Sequence, residues 1–98
     1  MNRALVFRPP ALSEYEDAAA WYDAQQPGLG TEFVAEIEST LQKIADQPDR
    51  YPIALRTTRE APVARFPYCV YYRAHPSRIV VTAVFHNSRD PAVWQRRT

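Results

Sequence analysis

Apolar residues recur at two different periods along this chain, at steps of three and four through the first half and in short unbroken or alternating runs through the last third. Steps of three and four place side chains on one face of a helix, whereas short apolar runs bounded by turn residues mark strands. The run Ala4-Leu5-Val6-Phe7 reads as a first strand, stopped by Pro9-Pro10 because proline lacks the amide a sheet ladder needs. Ser13-Glu14-Tyr15-Glu16 then has the form of a capping box, so the first helix is expected to open at Ser13 and to carry the stripe Leu12, Tyr15, Ala19, Tyr22 through about Gln25. Gln26-Pro27-Gly28-Leu29-Gly30 breaks it. Phe33, Ile37, Leu41 and Ile44 repeat the helical spacing, with Glu32, Glu36 and Glu38 outside the stripe, until Pro48. The two stripes predict a helical hairpin whose apolar faces cover one side of a sheet.

From Tyr51 to Glu60 the pattern weakens to a connector with room for one short strand. Tyr68-Cys69-Val70-Tyr71-Tyr72 and Ile79-Val80-Val81-Thr82-Ala83-Val84-Phe85, joined across His75-Pro76-Ser77-Arg78, predict a β-hairpin. A loop centred between Pro76 and Ser77 sets Tyr72 opposite Val81, Val70 opposite Ala83 and Tyr68 opposite Phe85, and those six are expected beneath the helices. Cys69, Tyr71 and Arg73, with Val80, Thr82, Val84 and His86, then fall on the other, more open face. Asp90-Pro91 reads as a helix start, giving one turn over Ala92 to Arg96 that brings Trp94 near the sheet. The fold class is therefore α+β, a single domain over residues 1–98, in the order β-α-α-β-β-β with a small, mainly antiparallel sheet.

Composition narrows the class. At 98 residues, 46% hydrophobic and 12% aromatic, the chain suits one core and not a disordered segment. Its apolar runs are far shorter than the roughly twenty residues of a membrane span, and its start lacks a signal-peptide layout, so a soluble cytoplasmic protein with no membrane association is expected. Cys69 is the single cysteine, inside a strand, and is expected to be a small buried hydrophobe.

The net charge of +1 conceals a polarity. Residues 1–49 carry three cationic side chains against nine acids, and residues 50–98 carry nine arginines against Glu60 and Asp90. Lys43 is the one lysine, and arginine's planar fork suits bidentate contact with phosphate or carboxylate. The basic half thus suits a polyanion or an acidic protein surface, or serves only to solvate the sheet edges.

Candidate chemistry gathers in that half. Arg65, His86, Arg89, Arg96 and Arg97, with Arg73 and Tyr71 on the open face, are placed to converge at one end of the sheet. If they act on a phosphodiester, His86 or Tyr71 moves the proton and arginines such as Arg65 stabilise the developing charge. The same stretch is equally suited to docking a protein target through Arg73, Arg89, Trp94, Arg96 and Arg97, since Trp and Arg are enriched in interface hot spots. The plainer readings are a structural histidine at a strand end, a local Arg89–Asp90 ion pair and Trp94 as a plug over the sheet. Two glycines, Gly28 and Gly30, exclude any glycine-rich phosphate loop, two histidines and one cysteine make no metal site at a usual spacing, and Ser77 and Ser88 lack a nucleophile elbow. No cofactor and no metal is expected.

The succession Trp21-Tyr22, Pro27-Gly28-Leu29-Gly30, Phe33, Pro48, Tyr51-Pro52, Arg65-Phe66-Pro67-Tyr68, Tyr71-Tyr72-Arg73 and His86-Asn87-Ser88-Arg89-Asp90-Pro91-Ala92-Val93-Trp94 resembles the RelE/ParE superfamily of bacterial toxins from type II toxin-antitoxin, or plasmid-stabilisation, systems. The resemblance implies the same β-α-α-β-β-β fold and a cognate antitoxin whose segment wraps the toxin in a hetero-oligomer, through an apolar groove near the helical hairpin and the sheet edge. It also implies growth inhibition by one of two routes. RelE-like members are ribosome-dependent mRNA endonucleases with basic and aromatic residues on the sheet face, whereas ParE-like members poison DNA gyrase without known chemistry of their own. Where the nucleases carry a strand arginine this chain has Cys69, and it lacks their lysine-rich loop. Together with the helical hairpin and the His-x-x-Arg-Asp stretch, that favours a gyrase poison. The alternatives are a nuclease using His86, Arg65 and Tyr71, and an inactive toxin remnant that still binds an antitoxin.

Overall fold

The computed structural model describes residues 3–98. In chain order its elements are β1 (Ala4–Phe7), α1 (Pro9–Gln25), α2 (Leu29–Asp46), β2 (Ile53–Leu55), β3 (Thr58–Pro62), β4 (Tyr68–Ala74), β5 (Arg78–His86) and α3 (Ala92–Gln95). The strands form one sheet in the order β1-β5-β4-β3-β2, parallel only between β1 and β5. The α+β class and the helical hairpin on one face agree with the sequence pattern. The connector, however, contains a complete extra hairpin, β2–β3, where one short strand was expected.

Helix α1 begins a turn earlier than the capping box suggested. Pro9 and Pro10 occupy its first two positions, where a missing amide costs nothing because the first turn's N–H groups have no helical partner. Ser13 therefore lies inside the helix, and neither it nor Glu16 caps the start. The buried stripe is also rotated: Ala11 and Ala18 are buried, Tyr15, Ala19 and Tyr22 pack beside them, and Leu12 is 42% exposed.

Helix α2 follows the pattern closely, with Phe33, Ile37 and Ile44 fully buried and Leu41 packed against the core. Two glycines fix its start. Gly28 has φ +92°, a left-handed conformation that costs glycine little, and at Gly30 an added Cβ would lie 2.5 Å from the Ala19 carbonyl oxygen. Asp23 caps this start, its Oδ1 accepting from the amides of Gly28 at 2.9 Å and Gly30 at 3.2 Å.

The β4–β5 pair holds the largest departure. Tyr72 faces Val81 as the pattern required, but a bulge follows, so Tyr71 pairs with Ala83, Val70 with Val84 and Tyr68 with His86. Thr82 is the additional residue, its hydroxyl donating to the Tyr71 carbonyl at 3.2 Å. An inserted residue reverses which side each later residue faces. Val84 consequently packs beneath the helices with Val70, Tyr72, Ile79 and Val81, and Ala83 and Phe85 move to the opposite face. That face is not open. Cys69, Tyr71, Ala83, Phe85 and Trp94 form a second buried cluster there, roofed by α3.

Strand β5 outruns its parallel neighbour. β1 ends at Phe7 and the Arg8 amide still bonds the Val81 carbonyl, but beyond it the edge of β5 has no strand partner. Two side chains take its place: Glu14 accepts from the Val84 amide at 3.1 Å, and Arg97 donates to the Thr82 carbonyl at 3.1 Å. Satisfying these backbone groups with charged side chains closes an edge that would otherwise invite pairing with another chain.

Candidate functional site

The seven residues expected to converge do not form one constellation. His86 closes β5 on the helix side of the sheet, because the bulge reversed its direction, and its ring packs edge-on against Tyr68 with centroids 5.0 Å apart. The Ser88 amide donates to His86 Nδ1 at 3.0 Å, with the Ser88 hydroxyl 2.8 Å from the same nitrogen. Accepting an N–H requires a bare Nδ1, so the neutral ring carries its proton on Nε2 and the imidazole fixes the turn after β5. Tyr71 lies on the other face, stacked on Trp94 with ring centroids 4.0 Å apart, its hydroxyl donating to Glu60 at 3.2 Å. Burial, and secondarily the Glu60 carboxylate, push that phenol well above its ordinary range. A phenol so held is a poor base. Arg65 sits before β4 with φ +69° and pairs with Glu32 and, at 3.3 Å, with Glu36, both on α2. The residues assigned to catalysis therefore occupy three separate places.

The docking residues divide as well. Trp94 is buried, and Arg96 is exposed. Arg89 donates to Glu14 at 2.8 Å and lies over the Phe85 ring, 4.2 Å from its centroid, so the expected Arg89–Asp90 pair gives way to a contact across the fold. Asp90 instead accepts from the Ala92 amide at 3.0 Å and caps α3. Arg97 embraces Glu14 through both terminal nitrogens, at 3.0 Å each. Arg73 points to the opposite end of the sheet, beside Arg8, Thr82 and Arg97. Cys69 is buried as expected, and desolvation, assisted by Glu60, pushes its thiol up to about 11, which removes it as a nucleophile near neutral pH.

Two features escaped the sequence reading. Glu14 is the hub of the tail, joining the edge of β5 to Arg89 and Arg97. The sequence reading held Glu14 only as an interior position of the Ser13–Glu16 capping box, and no local signal marks partners so far along the chain. Trp21 is the second: it is 59% exposed and, with Tyr22, Tyr68 and His86, lines a cleft of about 410 Å³ between α1 and the ends of β4 and β5. Glu14, Asp17 and Arg89 line the adjoining cleft along the same helix. Among the described residues, no group of histidine, cysteine or acidic side chains is arranged to hold a metal ion, and no helix is long and apolar enough to cross a membrane.

A chain of the chromosomal ParDE toxin-antitoxin system from P. aeruginosa superposes with a TM-score of 0.75 at 14% identity, covering 86% of this chain and 95% of that one. A chain of the toxin-antitoxin complex RelBE2 from Mycobacterium tuberculosis gives a TM-score of 0.62 at 19% identity, covering 91% of this chain and 95% of that one. Identities this low establish the fold. The family follows from the sequence itself: the profile of the ParE toxin of the type II toxin-antitoxin system parDE matches residues 5–91, and the chain belongs to that family. No curated protein sequence matches it significantly.

Proposed function

We propose that this chain is a growth-inhibiting toxin that acts by binding and poisoning DNA gyrase, and that a cognate antitoxin neutralises it in a hetero-oligomer. One observation carries the choice of binding over cleavage. His86, Tyr71 and Arg65, the residues a nuclease mechanism would need together, are held apart by the bulge at Thr82, by the Tyr71–Trp94 stack and by the Arg65 pairs to Glu32 and Glu36. General acid-base catalysis needs both partners within hydrogen-bond reach of one substrate position. The exposed cationic residues Arg89 and Arg96, beside α3, then serve as contacts to the target. Membership of the ParE family supports gyrase as that target, and the ribosome with its mRNA is the alternative the RelBE2 likeness keeps in view.

The antitoxin is assigned to the Trp21 cleft. An exposed tryptophan in an aromatic recess, with Asp17 on the adjoining cleft, is suited to an apolar anchor flanked by a basic residue. The purified full chain tests the main reading in a gyrase supercoiling assay. Stoichiometric inhibition, relieved by the antitoxin, is expected; undisturbed supercoiling with mRNA cut on translating ribosomes would establish the nuclease instead.

A further inference from the structure

We infer that Arg8, Arg73 and Arg97 form a binding site for a phosphate group, at the end of the sheet remote from His86. The site is a recess of about 120 Å³ lined by Arg8, Pro10, Arg73, Thr82 and Arg97. A single water needs only ~10–15 Å³ of such space, so a tetrahedral oxyanion fits. Three elements that are distant in sequence converge there: the start of α1, strands β4 and β5 at their bulge, and the C-terminal tail.

The charge around the recess is not balanced by the protein. Arg97 shares Glu14 with Arg89, so one carboxylate faces two guanidinium groups. Among the described residues, Arg8 and Arg73 have no carboxylate within ion-pair distance, and no acidic side chain lines the recess. Arg73 Nε is buried and has no hydrogen-bond acceptor. That nitrogen is sealed from solvent, so an anion in the recess meets Arg73 through its terminal nitrogens and there balances a charge that the protein leaves unpaired. The free forks of Arg8 and Arg73, joined by the N–H groups that Arg97 keeps beyond its bonds to Glu14 and the Thr82 carbonyl, favour an anion with three or four oxygens over a planar carboxylate with two. Thr82, the extra residue of the bulge, lines the recess with Arg73 and Arg97. The assignment stands independently of gyrase and of the antitoxin, since it concerns a different part of the surface.

Calorimetric titration of the full chain with inorganic phosphate, against chloride at matched ionic strength, tests it. Saturable one-to-one binding is expected, weakened about tenfold by Arg73→Gln and by Arg8→Gln and unchanged by Arg96→Gln, the loss of one charge-assisted contact being worth about that factor. Arg97 is left intact because it also holds Glu14, and far-ultraviolet circular dichroism confirms that each variant is folded. A parallel titration with a 5′-mononucleotide identifies the source: tighter binding than inorganic phosphate marks a nucleotide, and equal binding marks free phosphate, both supporting the site. Heat no greater than the chloride control, or equal affinity in the wild type and both variants, overturns it.

Discussion

Glu14 and Arg97, 83 positions apart, are joined by two hydrogen bonds of 3.0 Å, and each also caps a backbone group on the unpartnered edge of β5. The pair fastens the C-terminal tail over the sheet and with it the Trp94 ring. Its side chains are 13% and 22% exposed, so the interaction is screened less than a surface pair and more than a fully buried one. Glu14→Ala strips partners from Arg97, Arg89 and the Val84 amide together and is expected to cost about 2–4 kcal/mol. Urea unfolding measures that loss. On a Trp21→Phe background, Trp94 fluorescence should shift to the red before global unfolding, as the tail lifts.

Alkaline pH should destabilise the fold before it damages the chain. Burial raises the Cys69 thiol from 9.0 to about 11 and the Tyr72 phenol from 10.0 to about 12, the latter also donating to the Pro48 carbonyl at 2.7 Å. Between the unfolded and folded values the native state holds protons that the unfolded chain has released, so stability falls as pH rises. The unfolding free energy should be insensitive to these groups below about pH 8; Cys69 alone should lower it by about 2–3 kcal/mol by pH 11, and Tyr72 should steepen the decline above pH 10. Cys69→Ala should flatten the lower part of that decline in pH-dependent urea midpoints.

If toxicity comes from binding, the three residues a nuclease would use are dispensable. The triple variant His86→Gln, Tyr71→Phe, Arg65→Ala should still arrest growth when expressed without antitoxin, with viable counts within about threefold of the wild type. Arg65 and Glu32 are about half exposed and Glu36 keeps contact with solvent, so the loss of Arg65 should cost under about 1 kcal/mol and leave folding intact. Circular dichroism and colony counts check both halves, and loss of toxicity in a folded triple variant would restore the nuclease reading.

The sequence made the helices legible because Phe33, Ile37 and Ile44 keep a helical spacing that only burial explains, and the Tyr72–Val81 pairing followed from loop length. What failed did so for physical reasons. Ile79 to Phe85 is apolar almost throughout, so its period cannot reveal an extra residue, and the bulge at Thr82 reversed Val84, Phe85 and His86. The β2–β3 hairpin turns at Arg56, with φ +55°, in place of the glycine or asparagine that would have announced it. Ser13 and Glu16 resembled a capping box because the prolines that begin the helix were read as a stop. The charge asymmetry was correctly seen, but pairing across the fold decides which arginines remain available, and that is a tertiary property.

Trp21 should be an anchor for the antitoxin. Trp21→Ala removes a mostly exposed ring that meets the core only through the edge of Tyr22, so stability should change by under about 1 kcal/mol while antitoxin affinity falls by about 2 kcal/mol or more. Surface plasmon resonance against the co-encoded antitoxin measures the difference, and co-expression should then fail to rescue growth at the usual antitoxin level.

The most direct test of a gyrase poison is what stops first when the full chain is induced without its antitoxin. Plasmid topology and pulse-labelled protein synthesis, followed in the same culture, should show relaxed or cleaved DNA and arrested replication while translation continues. Halted translation with supercoiling unchanged would contradict it.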